Sequence, residues 1–329
     1  MLTSTLQVLA IWSEPSGGAV GVAALTGLLA SASWGLGCLL FDAVHARRSA
    51  SESPPSPAGM NLFKNSLATT VFVIAGLIMG SSYPGAEAFW PLFWSGVVGF
   101  AVGDTLYFAA FPLAGVQATA MVGNLTPPIA GLVGWLFLKE TFDASSLGWM
   151  TVVLAGVSLV ILDPKKSQTS EPRRDPRKVG LGLLFALGAA VSQALAIVVA
   201  HKSFQGVEVL PGTVVRLFGG LVAAIAIASI FSLNRRGRQS PAGLAATLRP
   251  LGNRVLLRAL LVPTFFATLI SLPLHSATVQ VAPGHISALL LSTSPLFILP
   301  LGYKFGVRQG PVSILGTLIG FAGIAGLVL

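Results

Sequence analysis

Residues 259 to 303 run for forty-five positions without an Asp, Glu, Lys or Arg. As a single helix rising about 1.5 Å per residue, such a run would be roughly twice as long as the ~30 Å hydrocarbon core of a bilayer is thick. It therefore has to fold back on itself. The break belongs at Val281-Ala282-Pro283-Gly284, where proline stops a helix and glycine permits the turn. The same reasoning divides the run from Thr105 to Leu138 at Pro112-Leu113-Ala114-Gly115, and residues 15 to 41, which also lack the four charged types, make one crossing.

Composition agrees with lipid as the main solvent. The 329 residues are 53% hydrophobic and 9% charged, whereas a soluble domain carries roughly a quarter charged residues to cover its exterior. Applied along the chain, the length argument predicts spans at 19–41, 61–80, 90–111, 116–138, 147–162, 179–200, 212–232, 255–276, 285–303 and 311–329. A membrane barrel would show alternating segments of roughly ten residues instead of continuous apolar runs. Gly99-x3-Gly103, and Gly316-x3-Gly320 followed by Gly323, are spaced to let helix backbones approach closely.

The net charge of +9 does not point to nucleic acid, because Lys and Arg sit in short gaps between apolar runs, as in cytoplasmic loops of membrane proteins. Cys38 is the single cysteine, so no intrachain disulfide or cysteine metal cluster can form. The first eighteen residues lack Lys and Arg and contain Glu14 and Pro15, which argues for a retained first helix over a secretory signal peptide. There is no His-Glu-x-x-His, Walker loop or Gly-x-Ser-x-Gly, and neither an enzymatic activity nor a cofactor is expected, a proton gradient aside.

The long charged segment from Asp163 to Lys178 contains Pro164, Pro172 and Pro176 and divides the predicted spans five and five. Self-similarity supports this division. Ala114-Gly115 with Thr119-Ala120 and Thr126-Pro127 matches Ala282-Pro283 with Ser287-Ala288 and Ser294-Pro295. The domains expected are 1–163 and 179–329 about a linker at 164–178. An odd number of spans per half makes the second half enter the bilayer from the opposite side, so the repeats are inverted, an arrangement that recurs in transporters.

Pro127, then Gly134-Trp135-Leu136 and Glu140, with the glycine-containing span from Leu147, resembles the end of an EamA repeat of the drug/metabolite transporter (DMT) superfamily. Trp34-Gly35 and Lys64 are similar to that repeat's opening. In the second half Pro295 matches, but Arg308 stands where Glu140 would be repeated. The resemblance implies an all-α fold of ten transmembrane helices in two inverted five-helix repeats around a central cavity. It also implies a multi-pass protein of the cell membrane, such as a bacterial inner membrane. The function implied is export of small metabolites such as amino acids, or of drug-like compounds. The rivals are an organophosphate or nucleotide-sugar antiporter and a lipid-linked sugar flippase. A small-molecule substrate and the bilayer are the expected partners, and a homodimer is left open.

Polar residues within a bilayer cost about 2.5–3.5 kcal/mol on insertion scales, so each needs an explanation. Asp104 lies well inside span 3 with Tyr107 one turn along on the same face; it either binds a substrate amine or a proton, or is a hydrogen-bonded structural residue. Lys64 and Arg216 stand near the starts of the equivalent spans 2 and 7, where they either snorkel or attract a carboxylate or phosphate. Trp34 and Gln193 fall at similar places in spans 1 and 6, facing either a solute or, for Trp34, lipid. Asn124 and Thr126, and Ser292, Thr293 and Ser294, precede prolines, where bending competes with ligand contact. His275 and His285 lie close to turns, and solvated histidines are expected there. Those ten candidates for the substrate path are Asp104, Tyr107, Trp34, Gln193, Lys64, Arg216, Asn124, Thr126, His275 and Thr293.

Orientation sets charge against resemblance. The loops after spans 1, 5, 7 and 9 hold fifteen Lys or Arg, against Lys139 and Lys202 on the other face. By the positive-inside rule the termini face outward, whereas the resemblance implies termini inside. The charge bias acts on this chain directly and is followed here.

Overall fold

In a lipid environment a backbone segment has to satisfy its own hydrogen bonds, so apolar runs of this length become helices. The computed structural model describes residues 18–46, 57–114, 119, 122–139, 144–162, 176–233, 254–294, 296–297 and 310–328. Among them there is no strand. The helices are α1 (Gly18–Ala46), α2 (Pro57–Met79), α3 (Ala86–Ala114), α4 (Thr126–Leu138), α5 (Ala144–Ile161), α6 (Pro176–Ser203) and α7 (Val209–Leu233). Then follow α8, running unbroken through Arg254–Thr264, Phe265–Ile270 and Ser271–Val281, α9 (Gly284–Leu291) and α10 (Pro311–Val328). By length and composition α1, α2, α3, α6, α7 and α8 are able to cross a membrane, while Thr126–Leu138, Leu147–Leu159 within α5 and Pro311–Gly326 are shorter apolar helices.

The packing partners exchange between the two halves. α1 packs on α8 as α6 packs on α3, α9 packs on α1 as α4 packs on α6, and α2, α4 and α5 each pack on their counterparts α7, α9 and α10. Small residues make the closest approaches. A Cβ at Gly96 would meet the Arg216 carbonyl, one at Gly219 the Phe93 carbonyl, and one at Gly156 the backbone of Gly316 and Gly320. The predicted stripes are used in this way: Gly99 and Gly103 seat α6 at Ala196, Ser192 and Gln193, while Gly320 and Gly323 seat Leu296 and Val153.

Two irregularities recur in both halves. Helix α3 widens to π geometry over Val97–Gly103, and α8 does so over Phe265–Ile270. The chain also breaks into a turn at Asn124–Leu125, just before α4, and at Ser292–Thr293, just after α9. Such departures free carbonyls that other groups then have to satisfy.

Several boundaries differ from expectation. Pro112 lies inside α3, which continues to Ala114, because a proline in the last turn removes only one hydrogen bond. Helix α6 starts at Pro176, within the predicted linker, since proline suits a first helical position. Expectations resting on the first seventeen residues, Gly115, Ala120, Glu140, residues 163–175, Pro295 and Arg308 lie outside the described residues.

Candidate functional site: a polar cavity between the two halves

The π segment of α3 determines where Asp104 points. Its widened turns leave carbonyls that neighbouring helices approach from both sides. From α2, the Asn61 amide donates to Phe100 O at 2.8 Å and Ala101 O at 3.2 Å, and Asn65 donates to Phe100 O at 3.3 Å. From α6, Gln193 Nε2 donates to Gly99 O at 3.2 Å and to Asp104 Oδ1 at 2.9 Å. Lys64 Nζ donates to Asp104 Oδ2 in an ion pair. Both carboxylate oxygens are thus engaged, in a site where Lys64 and Asp104 are 4% and 5% exposed.

The counterpart in α8 is built differently. Ser271 follows that π segment directly, as Asp104 follows its own, and donates to Ala30 O at 2.8 Å; Ser33 donates to Phe266 O at 2.8 Å. The carboxylate therefore has a hydroxyl as its counterpart.

These elements surround a cavity of about 170 Å³. Trp34, Lys64, Asp104, Tyr107, Asn124, Thr126, Gln193 and His275 line it. Trp34 faces the interior, with Lys64 Nζ 5.8 Å from its ring centroid, so the lipid-facing alternative does not hold. Tyr107 packs against Phe111 at 4.8 Å. Thr293 stands behind the wall, donating to Ser31 Oγ at 3.0 Å, and it is Ser31 that lines the cavity.

Arg216 is also outside the wall. It is fully buried, with Nε donating to Ser95 Oγ at 2.8 Å and its Cζ 4.6 Å from the ring centroid of Phe100, which does line the cavity. Snorkelling is thus corrected for both cations: each is buried among side chains inside the bundle instead of extending to its surface. The histidines differ from expectation as well. His275 lines the cavity from within α8, which continues past it to Val281, and His285 is buried at the start of α9.

Phe100, Ser31 and Thr268 line the cavity and were not singled out in the sequence. Ser31 lies one turn from Trp34 and had that signal; Phe100 and Thr268 lie within or beside altered helix geometry that hides their facing. Four buried polar atoms of wall residues have no hydrogen-bond partner among the described residues: Asn65 Oδ1, Asn124 Nδ2, Thr268 Oγ1 and His275 Nε2. Buried polar groups are nearly always satisfied, so these atoms offer hydrogen bonds to water or a solute. No group of His, Cys, Asp or Glu able to hold a metal ion occurs among the described residues.

The EamA-like transporter family model matches residues 21–162 and again residues 180–329. No curated protein matches the chain. A solved crystal structure of a protein is similar, with a TM-score of 0.65 and 17% identity, covering 92% of this chain and 95% of that one. At that identity the likeness concerns the fold alone.

Proposed function

The chain belongs to the EamA-like transporter family, and on that premise we propose that it is a secondary-active exporter of small metabolites, such as amino acids or similar amphipathic compounds. The observation that carries this reading is the cavity at the meeting of the two repeats, whose lining includes partnerless polar atoms. In this reading ten spans form two inverted five-helix repeats, 1–163 and 179–329, with residues 164–178 as the linker. The cavity opens alternately to the two sides as one repeat rocks against the other. The breaks beside α4 and α9 serve as the discontinuous helices that place polar groups at the midplane.

Asp104 is the coupling group. It holds Lys64 when unprotonated and releases it when it takes up a proton, which alters the polarity of the wall without any covalent step. The cavity's 170 Å³ is below the roughly 300–1,000 Å³ of pockets for drug-sized ligands. That size favours a small metabolite over a nucleotide sugar or a lipid-linked saccharide.

The test is flux from proteoliposomes against a panel of amino acids, with and without a pH gradient. Gradient-dependent movement of at least one of them is expected. No movement of any amino acid, together with movement of a nucleotide sugar or a lipid-linked sugar, would replace this reading by one of its rivals.

A further inference from the structure

Two cations share one aromatic ring beside the cavity. Arg216 Cζ lies 4.6 Å and Lys64 Nζ 6.0 Å from the Phe100 centroid. They occupy the same depth in α2 and α7, counterparts across the repeats, but their electrostatic situations differ. Lys64 is neutralised by Asp104. Arg216 is 0% exposed, and its Nη1 and Nη2 have no hydrogen-bond partner among the described residues. Asp104 is the one buried carboxylate among the described side chains, and Lys64 and Gln193 already occupy both its oxygens.

A guanidinium holds its proton more firmly than any other side-chain cation, so burial alone does not free it of its charge. Among the described residues the buried cations Lys64 and Arg216 share the one carboxylate of Asp104, which leaves one positive charge over, and an anion entering the cavity would offset it. The fork of Nη1 and Nη2 matches a planar two-oxygen anion. Phe100 belongs to the cavity wall and to the Arg216 contact at once, so a turn of its ring would open the guanidinium to the cavity.

We propose that Arg216 is an oxyanion anchor and that the solute carried through the cavity bears a carboxylate, which pairs with Nη1 and Nη2. This deepens the transporter reading and rests on it for the identity of the cavity as the solute site. The rest of the solute meets the acceptor Asn65 Oδ1, the donor Asn124 Nδ2 and the imidazole of His275.

The experiment is thermal unfolding of the purified full chain in detergent with a panel of probes. The probes are the common amino acids and short mono- and dicarboxylates, the amide of each, and inorganic phosphate. At least one carboxylate should raise the Tm by several degrees while its amide does not. Arg216→Met should abolish that shift and raise the Tm of the ligand-free protein, because a buried charge is removed; Arg216→Lys should retain part of the shift. The proposal is overturned if amides stabilise as well as their acids, if phosphate acts where no carboxylate does, if no probe acts, or if Arg216→Met keeps the response. It is also overturned if Arg216→Met and Arg216→Lys both fail to fold, since Arg216 would then be a structural partner. Flux of uncharged solutes that is indifferent to Arg216 would leave the transporter reading standing and remove only the anion anchor.

Discussion

Lys64 and Arg216 stand at equivalent depths in α2 and α7 and approach the same Phe100 ring, yet Lys64 has a carboxylate partner and the end of the Arg216 guanidinium has none among the described residues. The two repeats thus share a scaffold and differ in charge at its centre. One half supplies a closed ion pair, the other an open cation.

The ion pair should be strongly coupled. Lys64→Met leaves Asp104 without its cation, and breaking a buried pair from one side costs about 3–5 kcal/mol. Combining Lys64→Met with Asp104→Asn should recover part of that loss. A double-mutant cycle on unfolding free energies checks this, and additive effects would show the pair to be energetically idle.

Protonation of Asp104 is expected to set the pH dependence of transport. Asp104→Asn cannot exchange a proton, so its flux should lose the dependence on a pH gradient, whereas Asp104→Glu should keep it. Proteoliposome flux at several internal and external pH values decides. A wild-type pH profile in a folded Asp104→Asn protein would make Asp104 structural; if that variant does not fold, the Asp104→Glu comparison carries the test.

The π segment of α3 depends on amide donors from α2. Asn61→Leu leaves the Phe100 and Ala101 carbonyls short of a donor, at a cost of about 1–3 kcal/mol for a buried group left unsatisfied. Lower thermal stability with faster amide exchange across residues 97–103 is the expected result. An unchanged Tm would mean that the widened turns satisfy themselves.

Close packing of α5 on α10 leaves no room for a side chain at Gly156, where a Cβ would meet backbone atoms that cannot swing aside. Gly156→Leu should therefore exceed the ~1–3 kcal/mol usual for overpacking. Gly148→Leu, at a position with nothing within 4 Å, is the control and should change stability little. Unfolding midpoints of the two variants provide the comparison.

Topology follows from charge if lysine and arginine bias dominates. A reporter fused at Leu329 should be active only on the outer side of the membrane, with residues 163–178 on the cytoplasmic side. Activity confined to the cytoplasm would reverse the orientation.

Much of the scaffold was legible because it depends on composition and length. The turn at Ala282-Pro283, the small-residue stripes at Gly99 and Gly320, and Asp104 as a buried polar residue all follow from local rules. The widened turns of α3 and α8 were not legible, since one extra residue per turn leaves no mark in an unbroken apolar run. Those turns decide which side chains face the cavity, so Phe100 and Thr268 went unnoticed. The Lys64–Asp104 pair joins residues on separate helices, and no spacing rule links them. Thr293 was expected on the path, but its neighbours Ser292 and Ser294 line the cavity while Thr293 turns back to the Leu290 carbonyl and to Ser31.

Helices α5 and α10 contribute nothing to the cavity wall, yet each is the last helix of its repeat and is clasped by the other through Gly156, Gly320 and Gly323. In the proposed rocking of the repeats, such a joint would serve as the spindle, because it links the halves away from the cavity. It also joins the halves through contacts that do not run along the peptide connection. Two separately synthesised fragments, divided within residues 163–175, would still find each other along this seam.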